Sequence, residues 1–167
     1  QSLLGMGHRK IACLMGSEQS KTAIQREEGI REAYAEAGLE MDERLIYRNC
    51  TDEWKAHLAT QSLLEDAAAP TALFATNPRI TNGALLYLVE KQIALPEQLS
   101  FACFTQKNTM YPYPAQLTCI QQDPESIGLK TGELLINRLE EGKKPKSPAK
   151  YLFEQVLIPG QTVKSIL

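Results

Sequence analysis

Short apolar segments alternate with amphipathic segments along this chain, and the alternation limits the folds that it can adopt. Apolar runs rich in strand-forming residues occur at 11–15, 45–47, 72–75, 99–104, 117–120 and 151–158. Helical spacing occurs at 21–37, after Thr51 or Asp52, after Asn77, and from Pro124 to Gly142. Because strands separated by helices pair in parallel through right-handed crossovers, we predict an α/β fold: an open, mostly parallel sheet with helices on both faces.

The spacing of apolar residues also predicts which side of each of the first three helices is buried. In chain order, the predicted buried faces are Ala23, Ile30, Ala33, Tyr34 and Ala37; Trp54, Leu58, Leu63 and Leu64; and Ile80, Ala84, Leu85, Leu88 and Val89. Ile127, Thr131, Leu134 and Leu135 are expected to continue a last helix to Gly142. Asp123 is expected to cap the last helix, because Pro124 suits a first helical position.

The composition is that of a single globular domain. The chain has 167 residues, of which 43% are hydrophobic and 23% charged, and its formal net charge is −2. Lys and Arg are scattered, and the densest basic cluster, at 142–146, is expected to be a solvated loop. The four cysteines lack metal-binding spacing and lie in apolar runs, so we expect free, buried thiols. The sequence contains no long apolar span and no export signal, which predicts a cytoplasmic protein without membrane contact. No metal and no cofactor are expected.

The predicted sheet directs attention to the residues that follow its strands, because ligands of such sheets bind beyond the carboxyl ends of the strands. These residues are Ser17, 49–51, 76–77, 105–106 and 121–123. Arg26, early in the first long helix, either holds a hydroxylated or anionic ligand or forms a surface salt bridge with neighbouring acids. Asn77 either binds a polyol through its amide or caps the helix that begins at Pro78.

The sequence offers little to an enzyme. It contains no GxGxxG, no phosphate-binding loop and no HExxH motif. His8 and His57 are its two histidines, and neither follows a predicted strand. Paired carboxylates such as Glu27 and Glu28 are adjacent on a helix and point in different directions. We therefore predict that the chain is not an enzyme.

Five segments together resemble the lactose-repressor (LacI/GalR) family of bacterial transcription regulators. LGMGHRKIA at 4–12 is similar to the family's LGHrrIA segment, and REEGIREA at 26–33 to its RxxG helix. The other three are PTALFATN at 70–77 followed by GAL at 83–85, LPEQLSF at 95–101, and LTCIQQ at 117–122. The matches span nearly the whole chain in the family's order.

The resemblance implies a periplasmic-binding-protein-like core of type I, in which 1–123 and 146–167 form the second lobe. It implies that 124–145 cross to a first lobe absent from this chain. It also implies a homodimer that senses a small-molecule effector, such as a sugar or sugar phosphate, and binds operator DNA through a helix-turn-helix domain missing here. The alternative is a solute-binding protein of a sugar transporter, which shares the fold.

The resemblance also assigns roles to individual residues. Arg26 and Asn77 match the family's effector-binding arginine and asparagine. The family's aspartate falls on Thr105, and Gln106 takes the place of the acid that follows it. Together with Ser17 and Asp123 from the strand ends, these residues form the predicted effector site. Because the carboxylates are replaced, the effector is expected to be less hydroxyl-rich or more anionic than a neutral sugar, or the chain binds none.

Overall fold

The computed structural model describes residues 1–66, 69–106, 109–141 and 150–167. In chain order its elements are α1 (Ser2–Gly5), β1 (Ile11–Leu14), α2 (Lys21–Glu36), a 3₁₀ turn (Glu43–Leu45), β2 (Ile46–Tyr47), α3 (Glu53–Glu65), β3 (Ala72–Ala75), α4 (Pro78–Glu90), β4 (Ser100–Gln106), β5 (Thr118–Gln122), α5 (Pro124–Glu141) and β6 (Val156–Ile158). The predicted alternation of strands and helices is confirmed. The main differences are that β4 continues through Gln106 and that β6 is shorter than predicted.

The strands form one sheet in the order β2-β1-β3-β4-β5-β6. β1 to β5 are parallel to their neighbours, and β6 pairs antiparallel with β5. The open, mostly parallel sheet predicted from the sequence is therefore confirmed. The chain passes from β1 outward to β2 and then returns to β3, on the other side of β1. The carboxyl ends of β1 and β3 consequently meet at a topological switch point, where sheets of this kind bind ligands.

One face of the sheet, which we call the closed face, is covered by α3 and α4. Its core includes Leu14, Leu73, Leu85 and Phe101, all completely buried. The two helices approach so closely that a Cβ on Gly83 of α4 would lie 2.1 Å from the backbone oxygen of Glu53. This contact leaves no room for a side chain at Gly83.

The predicted buried face of α3 is only partly correct. Leu63 is buried, but Trp54 is 65% and Leu58 42% exposed, while Ala56 and Ala59 face the core. The close contact with α4 selects small residues, which a search for large apolar side chains overlooks. On α4 the prediction holds for four residues and fails for Val89, which is 44% exposed.

The other face, which we call the open face, is covered among the described residues mainly by α2, with Leu4 of α1 beside it. A smaller core there contains Leu4, Ile11, Met15 and Tyr34. Beside α2, a groove of about 460 Å³ runs over the exposed side of β4 to β6, lined by residues such as Ala102, Ile120 and Leu157. The strands under this groove are only partly covered by the described residues.

Helix α5 follows β5 and leaves its apolar side chains exposed, including Leu129, Leu135, Ile136 and Leu139. The predicted helix is confirmed, with Ile127, Thr131, Leu134 and Leu135 inside it. Ile127 and Leu135 are exposed in the part of the chain that the structure describes. The predicted loop at 142–146, and with it the boundary between 145 and 146, lies outside the described residues. No helix among the described residues has the length and hydropathy needed to span a membrane.

The four cysteines are free and buried, as predicted. Cys103 and Cys119 are paired in register on β4 and β5. Burial raises the pKa of the Cys13 and Cys103 thiols to about 12. These side chains therefore act as core residues.

Candidate functional site

A cavity of about 190 Å³ opens at the switch point between β1 and β3. Residues from four segments line it: the loop after β1, the first turns of α2, the loop after β2, and the end of β3. The lining residues are Gly16, Ser17, Ser20, Thr22, Ala23, Arg26, Cys50, Thr51, Thr76 and Asn77. Three of the six predicted site residues, Ser17, Arg26 and Asn77, are therefore brought together. We call this cavity the switch-point cavity.

Arg26 extends from α2 across the carboxyl edge of the sheet. Its Nη1 donates to the backbone oxygen of Thr76, and its Nη2 donates to Oε1 of Gln122 over 3.2 Å. The guanidinium carbon lies 4.2 Å from the centre of the Phe104 ring. Burial lowers the pKa of Arg26 from its usual range. These partners are neutral, so the contacts of Arg26 among the described residues favour the ligand-binding interpretation over a surface salt bridge.

The register of β4 against β5 sets the positions of the two side chains that contact the guanidinium of Arg26 from the sheet. Phe104 lies on β4 opposite Ile120, and Gln122 lies on β5 opposite Gln106. Alternation along the strands places Phe104, Gln106 and Gln122 on the open face. The guanidinium is therefore held over the ends of three strands before any ligand arrives.

Asn77 caps α4, because its Oδ1 accepts a hydrogen bond of 2.9 Å from the backbone nitrogen of Ile80. The capping interpretation is confirmed. Its Nδ2 faces Gly16, where an added Cβ would lie 3.7 Å from that nitrogen. The cap uses the oxygen of the amide, so the NH₂ group is the part of Asn77 that is directed toward the cavity and Gly16.

The beginning of α2 forms another wall of the switch-point cavity. Ser20, the N-cap residue, makes no side-chain capping bond, and the first turn of α2 contains no acid. Ser17 accepts a bond from the backbone nitrogen of Ser20 through its carbonyl oxygen and one from Gln19 through its hydroxyl. The N–H groups of the first helical turn thus lie beside the cavity, next to Thr22.

The other three predicted residues are not part of the cavity lining. Thr105 is buried, and its hydroxyl lies 2.6 Å from the Tyr111 hydroxyl on the closed face. The predicted strand ends at Phe104, but β4 continues through Gln106, so alternation turns Thr105 away from Arg26. Gln106 is exposed at the end of β4, and Asp123 caps α5 by accepting from the backbone of Glu125 and Ser126. Their role in effector binding stays a prediction.

Thr22 and Phe104 are absent from the residues predicted at the strand ends. Thr22 could have been found, because it precedes Arg26 by one helical turn and so shares its face. Gln122 lies within the predicted range 121–123, but its bond to Arg26 joins residues 96 positions apart and could not be predicted. Phe104 was assigned to a strand, but the side of the sheet it occupies depends on the register of β4.

Polar and charged side chains near the switch-point cavity are bonded to one another. Asn49, with a φ of 61°, donates from Nδ2 to Oε2 of Glu18 over 2.8 Å and accepts from the Glu18 backbone nitrogen. These reciprocal bonds join the loops after β1 and β2. On the outer side of α2, Arg48 lies 2.6 Å from a Glu27 carboxylate oxygen and 3.1 Å from one of Glu43.

Neither histidine lies at the cavity. His8 is completely buried at the amino end of β1, with Nδ1 2.9 Å from Thr71 Oγ1 and Nε2 3.1 Å from the Lys164 oxygen. His57 lies on α3, 2.9 Å from a carboxylate oxygen of Glu90. The cavity therefore combines a cation, hydroxyls and amides, a set suited to binding.

Known proteins resemble this chain in sequence and in structure. A family model described as a periplasmic binding protein-like domain matches residues 1–163. The HTH-type transcriptional repressor PurR of Vibrio atlanticus is 29% identical over 166 residues, which cover 98% of this chain and 48% of that repressor. The chain therefore spans about half the length of the curated relatives that it matches.

Solved structures agree. A sugar-binding transcriptional regulator of the LacI family from Escherichia coli, complexed with phosphate, has a TM-score of 0.80 and 30% identity, over 98% of this chain and 58% of that one. The transcriptional regulator CelR in complex with cellobiose also has a TM-score of 0.80, with 25% identity over 96% of this chain and 49% of that one.

Proposed function

Because this chain belongs to the periplasmic binding protein-like domain family, we propose that it is the effector-binding part of a bacterial transcription regulator of the lactose-repressor type. The observation that carries the proposal is the switch-point cavity, in which Ser17, Arg26 and Asn77 meet at the place where such sheets bind ligands. The relatives support a regulator over a transporter's solute-binding protein, since they are named as repressors and regulators.

The proposed mechanism is a linkage between effector and operator. One side of the switch-point cavity is open, and an effector held by Arg26 would contact both this lobe and a first lobe supplied by the rest of the protein. An effector that contacts both lobes favours the arrangement in which it makes more bonds. That arrangement would change the affinity for operator DNA of a DNA-binding domain outside this chain. In this proposal the protein acts in the cytoplasm and catalyses no reaction.

The arrangement of α5 supports the proposed division into lobes. Its exposed apolar side chains, including Leu129 and Leu139, require a partner surface that the described residues do not provide. We propose that 124–145 cross to the first lobe and that 1–123 and 146–167 form the second.

A titration tests the effector site. The chain, labelled with ¹⁵N, is titrated with a panel of sugars, sugar phosphates and nucleobases while its amide resonances are followed. We expect at least one compound to shift the amides of Gly16, Ser17 and Asn77, and Arg26→Ala to abolish those shifts. Arg79→Ala is the matched control, because Arg79 is exposed on the first turn of α4 and does not line the cavity. If no compound on the panel shifts these amides, the proposed function is wrong.

We also propose that the intact protein is a homodimer. Exposed apolar side chains on the outer surface of α3 and α4, Trp54, Leu58, Leu86 and Val89, support an interface there. Sedimentation velocity is expected to show concentration-dependent association that Trp54→Glu weakens. Leu129→Glu on α5 is the control, because α5 is assigned to the contact between lobes. Unchanged association in Trp54→Glu would exclude this surface.

A further inference from the structure

Arg26 differs from Arg31, Arg44 and Arg48 in the groups that its guanidinium contacts. Arg31, Arg44 and Arg48 each bond to carboxylates, and these bonds raise the pKa of each guanidinium. Arg26 is half-buried, and among the described residues its polar partners are one backbone oxygen and one amide oxygen. A half-buried cation without a counter-ion is costly unless another group supplies the negative charge.

The lining of the switch-point cavity contains no acid. Its polar side chains, besides Arg26, are the hydroxyls of Ser17, Ser20, Thr22, Thr51 and Thr76, the thiol of Cys50 and the amide of Asn77. The Thr76 hydroxyl already donates to the backbone oxygen of Leu14. Hydroxyls can donate, the Asn77 oxygen is already used by its cap, and the amide NH₂ group is a donor. The cavity is therefore rich in donors and lacks the carboxylate acceptors that orient the hydroxyl groups of a neutral sugar.

The start of α2 adds to this field. The helix has 16 residues, its N-cap makes no side-chain bond and its first turn carries no acid, so no side chain of that turn neutralises the positive end of its dipole. This end and the guanidinium of Arg26 face the same cavity. Two independent sources of positive potential, one charge and one dipole, thus converge on a space lined by hydrogen-bond donors.

We infer that the effector is an anion, with a phosphate or carboxylate group seated between the first turn of α2 and Arg26. The inference rests on the proposed function and narrows the effector class of that site. Arg26 has five N–H donors, and two of them are used by Thr76 and Gln122, so three are free for the anionic group. The two protein bonds and the Phe104 ring hold the guanidinium in place, which reduces the cost of ordering it on binding.

The test compares matched pairs of ligands that differ only in an anionic group. The ¹⁵N-labelled chain is titrated with glucose, glucose 6-phosphate and gluconate, and with inorganic phosphate alone, at constant ionic strength. We expect the anionic members to shift the amides of Gly16, Ser17, Thr22 and Asn77 and to bind at least roughly tenfold more tightly than glucose, as a charge-assisted bond predicts. The affinity for inorganic phosphate alone, compared with that for glucose 6-phosphate, separates the contribution of the phosphate group from that of the sugar.

Variants locate the anion. Arg26→Gln removes the charge and is expected to weaken the anionic members at least roughly tenfold, whereas Arg26→Lys keeps part of the affinity because it keeps the charge. Arg79→Gln is the matched control and should bind as the parent does. Equal binding of glucose and its anionic relatives, or anion binding that Arg26→Gln leaves unchanged, would overturn the inference.

The outcomes also separate this inference from the proposed function. If neutral compounds alone shift the cavity amides, the effector site stands and the anionic class is wrong. If the anionic members shift only amides elsewhere, binding is adventitious and the inference fails. If neither these ligands nor the wider panel moves the cavity amides, the proposed function fails as well.

Discussion

The two faces of the sheet are stabilised by different means. On the closed face α4 buries seven residues, among them Ile80, Leu85 and Leu88, and packs directly on α3. On the open face α2 is longer, yet Tyr34 is the one residue of that helix that is buried. The comparison shows that apolar packing of the closed face holds the fold together. The open face carries the guanidinium and the groove, so its side chains remain available to ligands and partners.

The largest expected effect comes from two phenylalanines on β4 that lie on opposite faces. Phe101 is completely buried on the closed face, and Phe104 is half-buried on the open face beneath Arg26. We expect Phe101→Ala to lower the free energy of unfolding by about 4 kcal/mol, because it leaves a cavity in a packed core. Phe104→Ala should cost about 1 kcal/mol, since water already reaches this side chain.

Urea unfolding of both variants, followed by circular dichroism, measures the difference. Phe104→Ala should in addition weaken binding at the switch-point cavity, because the ring supports the guanidinium of Arg26. Equal losses of stability in the two variants would contradict the distinction between the faces.

A second contrast uses two glycines inside helices. A Cβ on Gly83 of α4 would meet the backbone of Glu53 at 2.1 Å, whereas a Cβ on Gly29 of α2 meets nothing within 4 Å. Gly83→Ala is expected to lower the free energy of unfolding by about 2–3 kcal/mol, because α3 and α4 must separate. Gly29→Ala should raise it by about 0.5–1 kcal/mol through helix propensity. Thermal unfolding of both variants gives the sign of each change in stability. A destabilised Gly29→Ala would show that α2 is more tightly packed at Gly29 than the space around that residue indicates.

Much of the fold could be predicted from the sequence, since strands and helices are set by local periodicity. Arg26 and Asn77 were found because they stand next to strand ends or early in a helix. The burial of Ala56 in place of Trp54 could not be predicted, because it depends on how closely α3 and α4 approach. The face of Thr105 could not be predicted either: β4 continues past Phe104, and alternation along a strand places Thr105 on the face opposite to Phe104.

The support of the site was the part furthest from prediction. The bond from Arg26 to Gln122 depends on the register of β5 against β4, which no local pattern encodes. Resemblance to a family drew attention to Arg26, Asn77 and Thr105, but it did not predict that the Thr105 hydroxyl contacts Tyr111 on the closed face. Side-chain partners distant in sequence therefore have to be taken from the structure.

The smallest expected effect concerns the ion pairs that hold α2 on its outer side, where apolar packing is sparse. Hydrogen bonds from Arg31 and Arg48 lower the pKa of Glu43 to about 2, and bonds from Arg48 and Arg31 lower the pKa of Glu27. Because both carboxyl pKa values are below those of the unfolded chain, about 4.3, their contribution to stability is complete above that pH. It is lost as the pH falls toward about 2.

Glu43→Gln should therefore destabilise the chain slightly at about pH 6 and much less at about pH 2, where about half of the Glu43 carboxyl groups of the folded parent are protonated. Urea midpoints of the two proteins at both pH values measure the difference, and about 1 M salt should reduce it at the higher pH because the pairs are exposed. A difference that is the same at both pH values would show that Glu43 acts through packing. In that case the ion pairs of Arg31 and Arg48 would contribute less to the attachment of α2 than their contacts indicate. The two faces of the sheet would then differ less in how they are stabilised.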